Sequence, residues 1–318
     1  VTGPLGKPVQ AFLGLMGDGQ SAVIEMAASS GLPLVPTEQR DPRIATTYGV
    51  GELILAALTE GRTHFIIGIG GSATNDGGAG FGQAIGFRLL DDQDRDLEPG
   101  GGNLARLARI DRLARRSELE GVEIAVACDV TNTLCGPRGA SAVYGPQKGA
   151  NPSMVEILDR NLAHFAAVVE RDLGAAIKDL PGSGAAGGLG GGLVAFAGGK
   201  LEPGVELIID AVKLAERLEK ADLCLTGEGA IDAQSAFGKT AVGVAQLAQS
   251  LHCPTLALAG SIGPGARAVL EHGIDAYFAI CPGPLSLEQA IDQASLLLEQ
   301  SAEQAVRGFL AGQHRRSF

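Results

Sequence analysis

Apolar residues in the last third of the chain follow two different periods. Segments with apolar residues three and four positions apart, the spacing of a helix with one buried face, alternate with short apolar runs entered or left through Gly or Pro. This alternation is typical of a parallel sheet covered by helices. The predicted helices are Val205–Lys220, Gly238–Ser250 and Ser286–Leu310, and the predicted strands are Asp222–Thr226, Pro254–Leu258 and Ala276–Ile280.

The first two thirds of the chain are less regular but contain the same kinds of element. Two apolar segments joined by the turn sequence Gly17-Asp18-Gly19 predict an antiparallel strand pair. Asn151 followed by a proline marks the start of a long helix. The predicted strands are Ala11–Leu15, Ser21–Met26, Thr63–Ile69 and Val122–Cys128, and the predicted helices are Thr46–Glu60 and Pro152–Leu173.

A glycine-rich stretch separates these two patterns and predicts a domain boundary near residue 205. We therefore expect an α/β protein with two α/β domains, residues 1–205 and residues 206–318. Only three clear strands fall in the second region, which is few for a free-standing parallel-sheet domain.

Composition and charge exclude several classes of protein. Of 318 residues, 45% are hydrophobic and 19% are charged, which indicates a packed core, and the 47 glycines show no collagen-like period. The net charge of −11 argues against binding to nucleic acid or to an anionic membrane. The five cysteines lack the spacing of a zinc or redox motif, and no apolar stretch is long enough to cross a membrane. We therefore expect a reduced, cytoplasmic protein.

The strongest local signal for chemistry is the loop Gly68–Gly80, which follows a predicted strand. Consecutive glycines allow backbone N–H groups to turn toward an anion, and a helix that begins after the loop adds its N-terminal dipole. The loop is predicted to bind phosphate or carboxylate, with a tight turn that binds no ligand as the alternative. The predicted contacts are Gly70, Gly71, Ser72, Thr74, Asn75 and Asp76.

The same loop partly matches a dinucleotide-binding motif. Gly68, Gly70 and Ala73 have the required spacing, and Asp91 and Asp92 lie near the expected position of a ribose-binding acid. This gives an alternative function, an NAD-dependent oxidoreductase that uses residues 68–73. The glycines that follow argue against it, because each costs up to about 1 kcal/mol relative to alanine in a packing helix.

A second candidate site lies at the predicted carboxyl end of a parallel strand, in the run Leu225–Asp232. Ligands of open α/β sheets bind at such ends, so Glu228 and Asp232 suit magnesium binding or the proton of a hydroxyl, with Thr226 and Gly227 beside them. A solvated acidic loop is the alternative.

A lysine just beyond this run is a further candidate. Gly238-Lys239-Thr240 looks like the tail of a nucleotide-binding P-loop, but Ala233 stands where the earlier glycine is required. An ordinary P-loop is therefore rejected, although Lys239 at a helix start suits neutralisation of phosphate.

Two further segments complete the candidates. Asp129 closes a predicted strand and Lys148 follows in sequence, which suits metal binding or general base catalysis, or equally an Asp-capped turn. The glycine run 182–192, with Gly187 and Gly188 at its centre, is predicted either to wrap a second anion or to act as a flexible hinge.

Five motifs in this order resemble the bacterial glycerate kinase family of the first type. They are GIGGSATNDGGAG (68–80), ACDVTN (127–132), GPQKGA (145–150), GAAGGLGGG (184–192) and LTGEGAID (225–232). The resemblance implies phosphorylation of D-glycerate with ATP and Mg²⁺ to give 2-phosphoglycerate, with 3-phosphoglycerate as the other product. It also implies a flavodoxin-like domain split between the chain ends, with a mixed-sheet domain of restriction-enzyme-like type inserted in it.

Two departures from the family pattern accompany the resemblance. Family members carry an N-terminal segment of roughly 60–70 residues before the point that matches Val1, which suggests that this chain begins after it. Ala230 stands where the family usually has Arg, and Ser235 where Thr is usual. The missing segment supports a second hypothesis, a catalytically inactive fragment or anion-binding module, and the two substitutions weaken the expectation of phosphate contacts at that loop.

The resemblance leads to an expected mechanism of in-line phosphoryl transfer, which depends on positioning and charge neutralisation. Gly70–Asp76 and Gly184–Gly192 are expected to hold anionic groups in an interdomain cleft. Glu228 and Asp232 are expected to hold Mg²⁺ or position the hydroxyl, with Asp129 as the further candidate for the base. The expected partners are D-glycerate and ATP, with no nucleic acid and no membrane, and the expected state is a monomer or homodimer.

Overall fold

The computed structural model describes residues 1–112, 116–236 and 240–314. The chain divides into two compact units, Val1–Gly204 and Val205–Phe318. The division falls next to residue 205, where the glycine-rich stretch ends.

The first unit is built on a mixed five-stranded sheet and a separate strand pair. In chain order the strands are β1 (Gly14–Leu15), β2 (Ser21–Glu25), β3 (His64–Gly68), β4 (Arg88–Leu90), β5 (Arg109–Asp111), β6 (Glu123–Ala127) and β7 (Lys200–Glu202). The sheet has the order β1-β2-β3-β6-β7, with β1 antiparallel to β2 and the other neighbours parallel, while β4 and β5 form an antiparallel pair. The predicted α/β class is confirmed, but the strand predicted over 11–15 is reduced to its last two residues.

Helices fill the connections of this unit. Their bounds are α1 (Ala27–Ser30), α2 (Tyr48–Thr59), α3 (Ala79–Ala84), α4 (Ala140–Tyr144), α5 (Pro152–Leu173) and α6 (Leu189–Ala197), with short 3-10 helices at Leu32–Leu34, Thr37–Gln39, Gly101–Arg106, Ser117–Leu119, Pro146–Lys148 and Ala185–Gly188. The start of α5 is fixed as predicted, because Asn151 Oδ1 accepts the N–H of Met154 at 3.0 Å. Helix α5 is ended by Gly174, the residue after Leu173, which adopts a left-handed φ of 74°.

The core of the first unit is organised around Phe196 of α6. Its ring lies 5.0 Å from that of Phe87, 6.2 Å from that of Phe165 and 6.4 Å from that of Phe81, measured between centroids. All four side chains are buried. Aromatic pairs at these separations contribute beyond the area they bury, so these four rings stabilise the core of the first unit.

In its described residues, the second unit contains a parallel three-stranded sheet and five helices. The strands β8 (Cys224–Ile231), β9 (Thr255–Ile262) and β10 (Ala276–Ala279) have the order β10-β9-β8. The helices are α7 (Gly204–Ala211), α8 (Leu214–Leu218), α9 (Thr240–Ser250), α10 (Leu287–Asp292) and α11 (Ala294–His314), and a 3-10 helix covers Ala266–His272.

Several predicted bounds in the second unit are wrong. The helix predicted over 205–220 is broken at Lys213, which has a left-handed φ of 52°, and the helix predicted over 286–310 is divided at Gln293. The strands predicted over 222–226 and 254–258 run on to Ile231 and Ile262, because their parallel pairing continues. Glycine within a paired strand was therefore mistaken for a strand end.

Candidate functional site

A cavity of about 250 Å³ lies in the first unit at the carboxyl ends of β3 and β6. These strands are parallel neighbours, with Gly68 opposite Ala127, so the segments that follow them leave the sheet side by side. A third wall comes from the segment that ends at Lys148. The lining residues are Ile69, Gly70, Gly71, Ser72, Ala127, Cys128, Asp129, Val130, Tyr144, Gln147, Lys148, Ala185 and Ala186.

The cavity brings together predicted site residues from three separate segments of the sequence: Gly70, Gly71, Ser72, Asp129 and Lys148. Gly70 and Gly71 are exposed, and Gly71 has a φ of 72°, in the left-handed region that favours glycine. The backbone of the loop is therefore open to a ligand at this point.

Lys148 is a buried cation in the cavity wall, only 1% exposed. Its Nζ donates hydrogen bonds to Ser72 Oγ at 2.6 Å and to the carbonyl oxygen of Thr74 at 2.7 Å. Burial lowers the pKa of Lys148 to about 7, and the charge of Asp76 opposes that shift. Among the described residues that line the cavity, it is the only cationic side chain.

Asp129 is the only carboxylate among those same lining residues. One of its oxygens, Oδ1, accepts the backbone N–H of Gly204 at 2.8 Å, which orients the exposed side chain. Nearby, the Tyr144 hydroxyl donates to Asn132 Oδ1 at 2.7 Å, and burial raises the pKa of the Tyr144 phenol, which keeps it protonated. The wall thus carries an ammonium group, a carboxylate and an oriented phenol.

Asp76, which the sequence predicted as an anion contact, is held inside the loop by internal hydrogen bonds. It is 0% exposed, and its carboxylate accepts hydrogen bonds from Thr47 N–H at 2.8 Å, Thr47 Oγ1 at 2.9 Å, and the N–H groups of Gly78 at 3.1 Å and Gly80 at 3.3 Å. Burial raises the pKa of Asp76, while these hydrogen bonds oppose the shift. This internal carboxylate accepts N–H groups at the start of α3, and the predicted use of the helix dipole for a ligand stays a prediction.

Thr74 and Asn75 are also fully buried. Thr74 Oγ1 donates to the carbonyl oxygen of Ala186 at 3.4 Å, and Asn75 Nδ2 donates to Ser141 Oγ at 3.0 Å. Asn75 Oδ1 is buried and has no hydrogen-bond partner among the described residues. Contact of Thr74 and Asn75 with a ligand stays a prediction.

Gly187 and Gly188 have a structural explanation, which differs from the prediction that this glycine run binds an anion. Both are buried with left-handed φ angles of 69° and 95°. A Cβ on Gly187 would clash with the carbonyl oxygen of Thr74, and one on Gly188 would lie 2.7 Å from the Cα of Gly77. These glycines let two backbone segments touch, so neither a flexible hinge nor a ligand is needed to explain them.

The dinucleotide-binding alternative does not fit this topology. That motif requires the acidic residue to follow a strand that lies parallel to the first one. Asp91 instead follows β4, which is outside the five-stranded sheet, and its carboxylate accepts hydrogen bonds from Arg95 Nε at 2.9 Å and Arg106 Nη2 at 3.3 Å. The interpretation of residues 68–73 as an NAD site is therefore wrong.

Thr226 and Gly227, in the second unit, lie within β8 and are paired with β9. Glu228 also lies inside this strand and not beyond its end. Its Oε2 accepts a hydrogen bond from Ser235 Oγ at 3.4 Å. Its Oε1 is buried and has no hydrogen-bond partner in the part of the chain that the structure describes. A buried carboxylate oxygen without a donor is available to a cation.

Asp232 follows the last residue of β8 and caps a turn. Its Oδ1 accepts the N–H of Gln234 at 2.8 Å, and its own N–H donates to Ser235 Oγ at 3.2 Å, so Ser235 links Asp232 to Glu228. No cluster of three or more metal-ligating side chains occurs over 1–112, 116–236 and 240–314. The roles of Glu228 and Asp232 stay predictions, and Lys239 lies outside the described residues.

Some residues of the site were not singled out from the sequence. Tyr144 and Gln147 line the cavity beside Lys148, and the spacing of four residues between Tyr144 and Lys148 is a signal that points to the first of them. Ala186 also lines the cavity, with a left-handed φ of 55° that is uncommon for alanine. Thr47, which holds Asp76, carries no local signal, because the two are brought together only by the fold.

The five cysteines are free, as expected: Cys128, Cys135, Cys224, Cys253 and Cys281. Burial raises the pKa of the Cys128 thiol in the cavity wall, so it is held in the neutral form. Among the described residues, no helix combines the length and apolar character needed to span a membrane.

Comparison with known proteins gives one consistent family. The model of the glycerate kinase family matches residues 1–310. The chain is 53% identical to a glycerate kinase of Bacillus subtilis (strain 168) over 302 residues, which are 95% of this chain and 79% of that protein. It is 50% identical to a glycerate 2-kinase of Escherichia coli (strain K12) over 290 residues, which are 91% of this chain and 76% of that protein.

A solved structure agrees with this result. The crystal structure of a glycerate kinase 2 from Salmonella typhimurium LT2 matches with a TM-score of 0.89 and 49% sequence identity. The match covers 99% of this chain and 82% of that one, so the fold described above is shared along nearly the whole of this chain.

Proposed function

This chain belongs to the glycerate kinase family, and from that premise we propose that it transfers the γ-phosphoryl group of ATP to D-glycerate, giving 2-phosphoglycerate. The observation that carries the proposal is the cavity of the first unit, where the buried ammonium of Lys148 and the carboxylate of Asp129 line one space beside the exposed backbone of Gly70 and Gly71. Phosphoryl transfer depends mainly on positioning and charge neutralisation, which such a set of groups supplies. The name of the Escherichia coli relative, a glycerate 2-kinase, supports the 2-phosphate.

Within this proposal, each charged group of the cavity has one task. Lys148 and the backbone of the Gly70–Ser72 turn neutralise and position an anionic group. Asp129 accepts the proton of the attacking hydroxyl, since it is exposed to the cavity and carries no described ion pair. The phenol of Tyr144, which donates its proton to Asn132 Oδ1, adds a fixed acceptor on the same wall.

Glu228 and Asp232 are proposed to hold Mg²⁺. Magnesium is commonly bound through one or two carboxylates together with substrate phosphates, so two protein ligands are sufficient. The buried, unpartnered Oε1 of Glu228 fits this role, because a bound cation would satisfy it. When bound with ATP, the ion supplies neutralisation of phosphate charge.

The two units are proposed to correspond to the two domains of the family pattern. Residues 1–205, with the mixed sheet, would be the inserted restriction-enzyme-like domain, and residues 206–318, with three parallel strands, the C-terminal part of the flavodoxin-like domain. A cytoplasmic location is proposed as well, in line with the five free cysteines.

The test of the proposed function is a coupled assay of ADP release with ATP, Mg²⁺ and D-glycerate. We expect turnover that depends on D-glycerate, with little ATP hydrolysis in its absence, and phosphorus NMR of the product to show the 2-phosphate. A 3-phosphate product would overturn only the proposed position of phosphorylation and would leave the kinase activity standing. Binding of D-glycerate or phosphate without turnover would support the hypothesis of an inactive anion-binding module.

A further inference from the structure

We propose that the cavity of the first unit is the subsite for the carboxylate of a small hydroxy acid, and that Lys148 with Ser72 is the pair that selects acidic over neutral acceptors. The bulk of the nucleotide then binds outside this cavity. The inference rests on the proposed function, because it assigns one of the two substrates of that reaction to a defined place.

The size of the cavity favours the acid. Pockets that take drug-sized ligands usually have about 300–1,000 Å³, whereas this one has about 250 Å³. A three-carbon acid fits such a volume. A complete nucleoside triphosphate would extend beyond it.

The hydrogen-bond donors of the wall point to an anion. A lysine ammonium has three N–H groups, and two of those of Lys148 are used by Ser72 Oγ and the carbonyl oxygen of Thr74. The third has no acceptor among the described residues. These two bonds fix the ammonium group, so its remaining donor has a defined direction.

Ser72 adds a second donor to the same space. Because its Oγ accepts from Lys148, the hydroxyl proton must be directed elsewhere, and the described part of the chain offers it no acceptor. Ser72 is 6% exposed and lines the cavity. A carboxylate has two oxygens and accepts from both donors at once, whereas a neutral amide has only one acceptor oxygen.

The charges around Lys148 favour one orientation of the acid. Asp76 lies behind the lysine inside the protein, where its carboxylate is occupied by backbone and threonine donors. Asp129, Tyr144 and Cys128 face the cavity, and Asp129 is the charged one. A bound carboxylate is therefore attracted to Lys148 and repelled by Asp129, which directs the hydroxyl end of the acid toward Asp129.

The experiment compares D-glycerate with D-glyceramide, its neutral amide, in wild-type protein and in Lys148→Met. We expect wild-type kcat/KM to favour the acid by at least about hundredfold, because a neutral isostere leaves the buried donors poorly paired. Lys148→Met is expected to reduce that ratio to below about tenfold by raising KM for D-glycerate, with KM for ATP within about twofold of wild type. Lys178→Met, the same change at an exposed lysine of the first unit, is the matched control. We expect it to leave the preference for the acid and the KM for ATP unchanged.

Two results overturn the assignment: an unchanged preference for the acid in Lys148→Met, or a rise in KM for ATP with KM for D-glycerate unaffected. If Lys148→Met does not fold by circular dichroism, Ser72→Ala replaces it. This variant keeps the ammonium group and is expected to reduce the preference about threefold to tenfold, so no reduction contradicts the proposal.

A failure of the proposed function is distinguishable from a failure of this inference. If the wild-type protein shows no turnover of D-glycerate, calorimetric titration with D-glycerate and D-glyceramide still measures the preference of the cavity. Loss of that preference in Lys148→Met then supports the subsite, and its persistence overturns it.

Discussion

Lys148 and Asp76 are buried charged residues with different roles in the first unit. Asp76 has its acceptors filled by hydrogen bonds from Thr47, Gly78 and Gly80, which is the pattern of a structural carboxylate. Lys148 retains an unused donor at a cavity, which is the pattern of a ligand-binding group. The number of unused hydrogen-bonding positions, more than burial or charge, separates the two roles.

The first prediction concerns the pH dependence of acid binding. In the protein without bound acid, the pKa of Lys148 is lowered to about 7, so the lysine carries its positive charge below that pH and loses it above. We expect kcat/KM for D-glycerate to fall as pH rises through about 7, while kcat holds to higher pH because the bound anion raises the pKa of the lysine. A pH–rate series measures both, and a flat kcat/KM from about pH 6 to about pH 9 would contradict the charge requirement.

The second prediction concerns Asp76. Asp76→Ala removes the acceptor for several buried N–H and O–H donors, and each unsatisfied donor costs about 1–3 kcal/mol. We expect a loss of about 3–5 kcal/mol in the free energy of unfolding, measured by urea titration. Asp76→Asn, which keeps the size and one acceptor oxygen, is expected to lose less, and equal losses would mean that neither the retained volume nor the retained oxygen stabilises the loop.

At the scale of elements, the two glycine-rich loops of the first unit pack backbone against backbone. The turn before α3 and the turn before α6 touch at Gly77 and Gly188, where side chains would separate them, and the N–H of Gly77 donates to the carbonyl oxygen of Gly187 at 3.0 Å. This contact fixes the carbonyl oxygen of Thr74, which in turn holds Lys148. The glycines thus serve the cavity indirectly, by positioning its lysine.

The third prediction separates conformational strain from this close packing. Gly188 and Gly136 both have a φ of 95°, but only Gly188 has atoms near the position of a Cβ. Gly136→Ala is expected to cost about 1–2 kcal/mol through the left-handed conformation alone. Gly188→Ala is expected to cost about 2 kcal/mol more, because two backbones must also separate. Thermal unfolding of both variants measures the difference, and equal losses would remove the packing explanation.

The fourth prediction concerns the end of β8. Continuation of the strand through Gly227 places Glu228 inside the sheet, with a buried carboxylate oxygen that has no described partner. Glu228→Gln is expected to lower kcat about tenfold or more and to raise the Mg²⁺ concentration needed for half-maximal rate. Glu219→Gln, at an exposed position of the same unit, is the control, and an unchanged Mg²⁺ requirement in Glu228→Gln would remove this residue from the metal site.

At the scale of the whole molecule, each unit has its own hydrophobic core. The large cluster that includes Phe65, Phe165 and Phe196 lies within the first unit, and the clusters around Ile231, Leu218 and Leu258 lie within the second. The cavity with Lys148 and Asp129 belongs to the first unit, whereas Glu228 and Asp232 belong to the second. The proposed acid subsite and the proposed Mg²⁺ ligands thus belong to different units.

The fifth prediction follows from this division. A fragment of residues 1–204 contains the complete cavity and its core, so we expect it to unfold cooperatively and to bind D-glycerate without phosphorylating it. Calorimetry measures both properties, and Lys148→Met in the same fragment should abolish the binding. A folded fragment that does not bind the acid would show that the cavity alone is insufficient.

Much of the fold was predictable because local patterns agree with it. The start of α5 at Asn151 and the strand over 63–69 follow from capping and apolar period. The break at Lys213 and the extension of β8 were not predictable, because they depend on pairing and packing with distant segments. The site shows the same division, since the sequence identified its motifs but not the complete burial of Thr74, Asn75 and Asp76 within them.

The sequence by itself determined the α/β class, the free cysteines and the segments that carry the chemistry, because apolar period, composition and glycine runs are local properties of the chain. Only the tertiary structure decided which residues of those segments face the cavity. Parallel pairing of β3 with β6 brings Ser72 and Asp129 to one edge, and burial of Lys148 against Thr74 connects a third segment to them. Direction and burial of side chains depend on contacts between residues far apart in sequence, and no local pattern encodes those contacts.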